Sequence, residues 1–361
     1  MTTARAASVL LLSAALASGC VRSYRDEPPL TFQDFPYTSL QGQAWPLKRM
    51  ALPKTAQAYG MATVPEVAYV ELNPEGQRTL VFIHGLGSYL KFWRYQLDTF
   101  AAQGYRVIAV DLPGYGKSDK PATFPYTMEA MSDAVRELVQ ALGVEHPVLV
   151  GHSMGGQTAL SYAIRYPEEP AALVLTSPAG FEKFTWKEKA WFKRVFSTTL
   201  IKSSPEYAIW GSVRQSNFAR WRPELEWLIE ERVRVVSSPD FDAYSYANVR
   251  TVDGLSHDDF VRDNLGHIQA PTIIVFGEDD RLIPNPFLHG GWARDIMEYG
   301  HQGIHGSELV GLARCGHSVQ LDCPQEYNEA VTAFLKKVPA SAAGAAQPEP
   351  AAQEQKAPAS P

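Results

Sequence analysis

The stretch Pro147-Val148-Leu149-Val150-Gly151-His152-Ser153-Met154-Gly155-Gly156 decides how this chain is read. A short apolar run of strand formers ends in a Gly-x-Ser-x-Gly turn. Gln157-Thr-Ala-Leu-Ser-Tyr-Ala-Ile-Arg-Tyr166 then continues as a helical segment, stopped by Pro167. A turn that reverses from strand to helix over so few residues is crowded, so small residues are needed on its flanks. It lifts the central hydroxyl to the carboxyl edge of a sheet, at the positive end of the following helix. A bare Gly-x-Ser-x-Gly arises by chance; one placed between a strand and a helix is a specific signal.

Outward from this stretch the pattern alternates. Thr79–His84, Arg106–Asp111, Ala172–Thr176, Thr272–Phe276 and Glu308–Leu312 are short apolar runs. Continuous apolar strands separated by helices indicate a mostly parallel sheet covered on both faces. Met131, Ala134, Val135, Leu138, Val139 and Leu142 form one buried helical face, closed by Gly143. From 180 to 267 the strand rhythm stops and aromatics become dense, among them Phe181, Phe184, Trp186, Trp191, Phe192, Phe196, Trp210, Phe218, Trp221 and Trp227. Pro223 opens an amphipathic segment with Leu225, Leu228, Ile229, Val233 and Val236. This region is expected to be a helical lid inserted into the sheet domain.

In this arrangement the sequence resembles the α/β-hydrolase superfamily, from roughly Ala62 to Lys337. The resemblance is carried by His84-Gly85-Leu86-Gly87, by Asp111-Leu-Pro-Gly-Tyr-Gly-Lys-Ser118, by the serine turn, by Gly277-Glu-Asp-Asp-Arg-Leu-Ile-Pro284 and by Gly316-His317, all in the family's order. It implies an α/β-hydrolase fold with an inserted helical lid. The expected organisation is a core in two parts, 62–179 and 268–338, around the lid at 180–267.

The chemistry follows from the residue types. A serine hydroxyl is a weak nucleophile at neutral pH and needs a base, which needs a partner to hold its tautomer. Ser153 is the candidate nucleophile and His317 the candidate base. The acid is Asp279 or Asp280; the family's G-x-x-D-x-x-x-P spacing selects Asp280. The oxyanion of a tetrahedral intermediate needs two N–H donors. Met154 supplies one and, by the resemblance, Leu86 the other. His152 and His84 are expected to be structural, His84 bracing the oxyanion loop. A serine at the elbow argues against epoxide or halide chemistry, for which relatives use aspartate. It leaves attack on carbonyls, with carboxylic esters first, C–C cleavage of diketones second, and a non-catalytic envelope scaffold third. No cofactor is required. His301 and His305 have helical i, i+4 spacing, but Gly300, Gly303 and Gly306 make a regular helix doubtful there, and no metal site is expected.

The chain has 361 residues, 45% hydrophobic and 20% charged, with a formal net charge of −6. That is a globular balance without the basic excess of a nucleic-acid binder. Residues 1–19 read as a signal peptide: Arg5, then an apolar run from Ala6 to Ala17 that is shorter than the ~20 residues needed to span a bilayer. Ala17-Ser18-Gly19-Cys20 resembles a bacterial lipobox, with acylation at Cys20, so the expectation is a lipid-anchored protein of the cell envelope acting on a small-molecule or lipid acyl ester. Residues 20–61 read as a spacer and wrap, and 339–361, rich in Ala, Pro, Gln and Glu, as a disordered tail. Cys315 and Cys323 bracket His317 and could pair in an oxidising compartment; spacing alone leaves disulfide and free thiols both open.

Overall fold

The computed structural model describes residues 23–257 and 259–339. The expected signal peptide, Cys20 and nearly all of the expected tail lie outside them. The strands are β1 (Leu47–Ala51), β2 (Glu66–Leu72), β3 (Thr79–Ile83), β4 (Arg106–Val110), β5 (Val148–His152), β6 (Ala172–Thr176), β7 (Thr272–Gly277) and β8 (Glu308–Leu312). They form one sheet in the order β1-β2-β4-β3-β5-β6-β7-β8. β2 is antiparallel to β1 and β4, and the remaining pairs are parallel, with Val81 opposite Leu149, Val150 opposite Val174 and Ile274 opposite Leu309. β3, β5, β6 and β7 are buried along their whole length, which is why they read as unbroken apolar runs.

Strand order reverses between β3 and β5, so the loops that leave their carboxyl ends open side by side there, where ligands bind in open α/β sheets. The first strand departs from the sequence expectation. β1 lies inside the stretch 20–61 read as spacer and wrap, and it is followed there by helix α1 (Pro53–Ala58). β1 is an edge strand with its side chains mostly in solvent, so it carries no hydrophobic pattern to detect. The rest of that stretch wraps the core through the buried rings of Tyr24, Phe32, Phe35 and Tyr37.

Helices α2 (Leu97–Ala102), α3 (Met128–Ala141) and α4 (Met154–Arg165) cover the first half of the sheet. α3 starts at Thr127, whose hydroxyl accepts from the Ala130 N–H, and it buries Met131, Ala134, Val135, Leu138 and Val139 on one face. Between β6 and β7 the chain forms the lid: α5 (Trp186–Val195), α6 (Thr198–Ser203), α7 (Glu206–Gly211), α8 (Trp227–Arg234), α9 (Phe241–Ser256) and α10 (Phe260–Asp263). The lid has a small core of its own, in which Ile209, Val213, Phe218, Leu225, Leu228, Ile229 and Val233 pack with Tyr24 and Leu321. Helix α11 (Ala293–Gly303) follows β7, and α12 (Val319–Asp322) and α13 (Pro324–Lys337) follow β8. α11 is regular despite Gly300 and Gly303. A Cβ on Gly300 would lie 2.2 Å from the Phe181 ring, so close packing accounts for that glycine. Among the described residues no helix is long and apolar enough to cross a membrane.

Candidate active site

Ser153 stands between β5 and α4 with φ +53° and ψ −116°, a conformation that costs a non-glycine residue ~1–3 kcal/mol. The flanking glycines show why the turn can close. A Cβ on Gly151 would lie 2.2 Å from the Gly155 carbonyl oxygen, and one on Gly155 would lie 2.2 Å from that of Ile83. The elbow is thus pressed against the neighbouring strand, and Ser153 faces a cavity that His317 also lines.

His317 and its partner come from two further strand ends. Asp280 follows β7, and its Oδ2 lies 2.7 Å from His317 Nδ1. The other oxygen, Oδ1, accepts the N–H groups of Leu282 (2.7 Å) and Ile283 (3.1 Å), so the carboxylate is oriented by its own loop. Its side chain has no solvent exposure. Of the two aspartates the sequence left open, the structure brings Asp280 to His317; Asp279 is exposed. The Nδ1–H of His317 donates to the carboxylate, which leaves Nε2 to act as a base.

The loop bearing His317 is pinned from several sides. Cys315 and Cys323 form a disulfide across it, with Cα atoms 6.0 Å apart. Asp322 accepts the N–H groups of Gly316 (2.8 Å) and Ala219 (2.7 Å), and the Ser318 N–H donates to the Asn217 carbonyl (2.9 Å), so the lid segment at 217–219 is tied to the same loop. The His317 carbonyl accepts from His152 Nε2 at 3.2 Å. His152 Nδ1 is buried without a partner, and burial drives the pKa of this ring well down, so it is a neutral brace next to the serine.

The loop after β3 is braced in the same way. The Leu112 N–H donates to His84 Nε2 (3.0 Å), which places the ring proton on Nδ1, donating to the Gly85 carbonyl (2.8 Å). Burial lowers the His84 pKa to about 4, so the ring stays neutral. Gly85 to Ser88 form a turn closed by Ser88 N–H to Gly85 carbonyl (3.2 Å), with Gly87 at φ +66°. The lid holds that turn, because Arg232 Nη2 donates to the Gly87 carbonyl at 2.9 Å. No hydrogen bond among the described residues uses the backbone N–H of Leu86 or Met154. Both amides are available to an oxyanion.

Asp111 is structural. It accepts from Tyr37 (2.6 Å), from the Leu90 N–H (2.7 Å) and from the Lys117 N–H (2.8 Å), and burial raises its pKa to about 6. His301 is also outside the site, with Nδ1 2.8 Å from the Ser307 hydroxyl.

The cavity measures about 670 Å³ and is lined mainly by apolar side chains, including Phe184, Trp191, Phe192, Phe196 and Phe218 of the lid. Phe32 and Phe35 of the N-terminal wrap also line it, which no pattern around them in the sequence would have shown. A polar cluster at its edge went unread as well. His289 bridges Glu182 (2.9 Å) and Glu188 (3.0 Å), and the Asn285 N–H donates to Glu182 (2.8 Å). Burial works against the charged imidazole of His289, but the carboxylates of Glu188 and Glu182 outweigh it and raise its pKa. Burial likewise raises the pKa of Glu182. His289 is 107 and 101 positions from the two glutamates, and only the fold unites it with them.

A description of the alpha/beta hydrolase fold matches residues 78–324 of this chain. Among characterised proteins, the 2-hydroxy-6-oxo-6-phenylhexa-2,4-dienoate hydrolase of Comamonas testosteroni is 28% identical over 279 residues, which cover 74% of this chain and 91% of that protein. Among solved structures, a probable hydrolytic enzyme of Pseudomonas aeruginosa superimposes with a TM-score of 0.73 at 25% identity, covering 87% of this chain and 99% of that one. An esterase of Exiguobacterium antarcticum gives a TM-score of 0.64 at 25% identity, covering 76% and 97%.

Proposed function

The chain belongs to the alpha/beta hydrolase fold family, and on that premise we propose that it is a serine hydrolase cleaving carboxylic esters through an acyl-enzyme on Ser153. The observation that carries the reading is the convergence at one sheet edge. A strained serine and a buried histidine face the same cavity, and the histidine is bonded at 2.7 Å to a carboxylate oriented by its own loop.

The steps follow from that geometry. His317 Nε2 takes the proton of Ser153 as its oxygen attacks the ester carbonyl. The Asp280 carboxylate stabilises the imidazolium, and the Leu86 and Met154 amides receive the oxyanion. The imidazolium returns the proton to the departing alcohol. Water, deprotonated by the same nitrogen, then attacks the acyl-enzyme, releases the acid and restores the serine. The apolar cavity suits an acyl chain, and similarity to the Exiguobacterium esterase supports the ester class.

A second reading is hydrolysis of a C–C bond in a ring-cleavage diketone. Similarity to the Comamonas dienoate hydrolase favours it, as does Arg232, a cavity-lining cation with no carboxylate partner among the described residues that would suit an acidic substrate. The ester reading is preferred because the rest of the lining is predominantly apolar. A non-catalytic scaffold would have no need of a strained serine.

The proposal includes acylation at Cys20 and a place in the cell envelope. The lipobox-like sequence supports it, and so does the Cys315–Cys323 bridge, which an oxidising compartment favours.

A fluorophosphonate should label the protein once, at Ser153, and Ser153→Ala should abolish labelling. Turnover of a p-nitrophenyl ester series, set against a vinylogous diketone, separates the two enzymatic readings. A folded protein that is not labelled, or that turns over only the diketone, would defeat the ester assignment.

A further inference from the structure

The first described residues end on the lid. The Ser23 hydroxyl donates to Glu206 at 2.8 Å, and the Tyr24 N–H donates to the same carboxylate at 3.1 Å. The Arg25 guanidinium donates to the Ser204 carbonyl at 2.7 Å, and the Tyr24 ring stacks on Trp210. These contacts fix Ser23 at the junction of α6 and α7. Cys20 is three residues upstream, and three extended residues reach at most about 10 Å. An acyl chain on Cys20 would therefore hold this junction within that distance of a bilayer.

The same junction belongs to the rim of the cavity. Leu200 lines the cavity and is 53% exposed, and Ala208 lines it and is exposed. Phe287 also lines it, is 80% exposed, and stacks on Trp191 of α5. Residues that line a cavity and stand in solvent mark its mouth. Two more large rings project from these helices into solvent, Trp186 (75%) on α5 and Tyr207 (79%) on α7. α5 and α6 bury no residue completely.

Charge points the same way. From Lys183 to the end of α7, Lys183, Lys187, Lys189, Lys193, Arg194 and Lys202 stand against Glu188 and Glu206, in a chain whose net charge is −6. Asp259, Asp253 and Asp242 pair with Lys183, Lys193 and Lys202. Lys187, Lys189 and Arg194 have no carboxylate partner among the described residues. Exposed aromatics interleaved with unneutralised cations are the composition that binds an anionic interface.

We propose that the outward surface of α5–α7 rests on an anionic lipid bilayer, so that the cavity mouth opens onto it and the substrate is an acyl lipid taken from the membrane. This deepens the serine-hydrolase reading and rests on it. Bilayer contact is made by Trp186, Tyr207, Lys187 and Arg194, while Lys189 is held by the His257 carbonyl. The acyl chain enters past Leu200 and Phe287 towards Ser153, and the N-terminal anchor sets the orientation.

The test uses the full chain and the double variant Trp186→Asp/Tyr207→Asp; neither side chain lines the cavity. One substrate is soluble p-nitrophenyl butyrate. The other is a long-chain p-nitrophenyl ester in phosphatidylethanolamine vesicles, with and without phosphatidylglycerol. The variant should hydrolyse the soluble ester at the wild-type rate and the vesicle ester at least ten-fold more slowly. Phosphatidylglycerol should raise the vesicle rate of the wild type and leave that of the variant unchanged. Equal vesicle rates for the two proteins would overturn the proposal. So would sedimentation showing that the wild type is a dimer which the variant dissolves, since the occupant of the face would then be a second copy. Should the wild type hydrolyse neither ester, the ester reading fails, and co-sedimentation with the same vesicles, of both proteins carrying Cys20→Ser so that no acyl chain holds them, still decides the docking: equal binding would overturn it. Tyr207→Ser alone offers a milder change at the same surface.

Discussion

Replacing Asp280 by asparagine should cost far more activity than its small change in shape suggests. The structure dictates how the amide must sit. Two backbone N–H groups, of Leu282 and Ile283, point at Oδ1, and only an oxygen can accept them. The amide nitrogen is then left facing His317 Nδ1 at the 2.7 Å separation now occupied by Oδ2. That nitrogen is a donor, so His317 Nδ1 must become an acceptor and its proton must move to Nε2. In this tautomer the ring cannot take the proton of Ser153. Loss of the base in this way, as in the serine protease template, lowers kcat by about 10⁴-fold, or about 5.4 kcal/mol in the barrier. The measurement is kcat and KM on p-nitrophenyl butyrate for wild type, Asp280→Asn and Asp279→Asn, with urea unfolding to establish that each is folded. The expected result is a kcat loss at 280 with KM little altered, and near-wild-type rates at 279, whose side chain is exposed. A folded Asp280→Asn within ten-fold of wild type, or a larger loss at 279, would refute the reasoning.

The backbone strain at Ser153 makes a second test. Ser153→Gly should abolish turnover and yet raise the unfolding free energy by about 1 kcal/mol, because glycine tolerates φ +53°; a destabilised variant in urea titration would contradict it. The third prediction concerns pH. The folded pKa of His289 lies above the ordinary value, so the stability it contributes is complete below the unfolded pKa of about 6.5 and is lost as pH rises through the folded value. His289 ties the loop after β7 to Glu182 and to Glu188 of α5, so hydrogen exchange in α5 should accelerate from pH 6 to pH 9, beyond the intrinsic rate, in wild type and not in His289→Gln.

What the sequence disclosed follows from how each residue is constrained. β3, β5, β6 and β7 are enclosed on both faces, and enclosure writes itself as an apolar run. The serine turn was legible because two backbone contacts at 2.2 Å forbid any side chain at Gly151 and Gly155. β1 was not, because a strand with solvent on its side chains needs no particular residues. The lid could be recognised by density of aromatics, but which rings face the cavity depends on the packing of several short helices. Arg232 on Gly87, and His289 between two glutamates, join residues 145, 107 and 101 positions apart. No local period encodes such pairs. The pairing of Cys315 with Cys323 required the geometry of the loop as well as its spacing.

The N-terminal wrap has a consequence for how the molecule is made. Tyr24 stacks on Trp210, the Leu30 N–H donates to the Arg234 carbonyl at 3.1 Å, and Phe32 lies against Tyr244. Each partner leaves the ribosome only after some two hundred further residues have been added. In a growing chain Phe35 and Tyr37 can meet Tyr89 early, but these three contacts must wait for the lid, and closure over such separations is slow. The rings that face the lid are thus seated with the inserted helices, later than those that face the sheet domain.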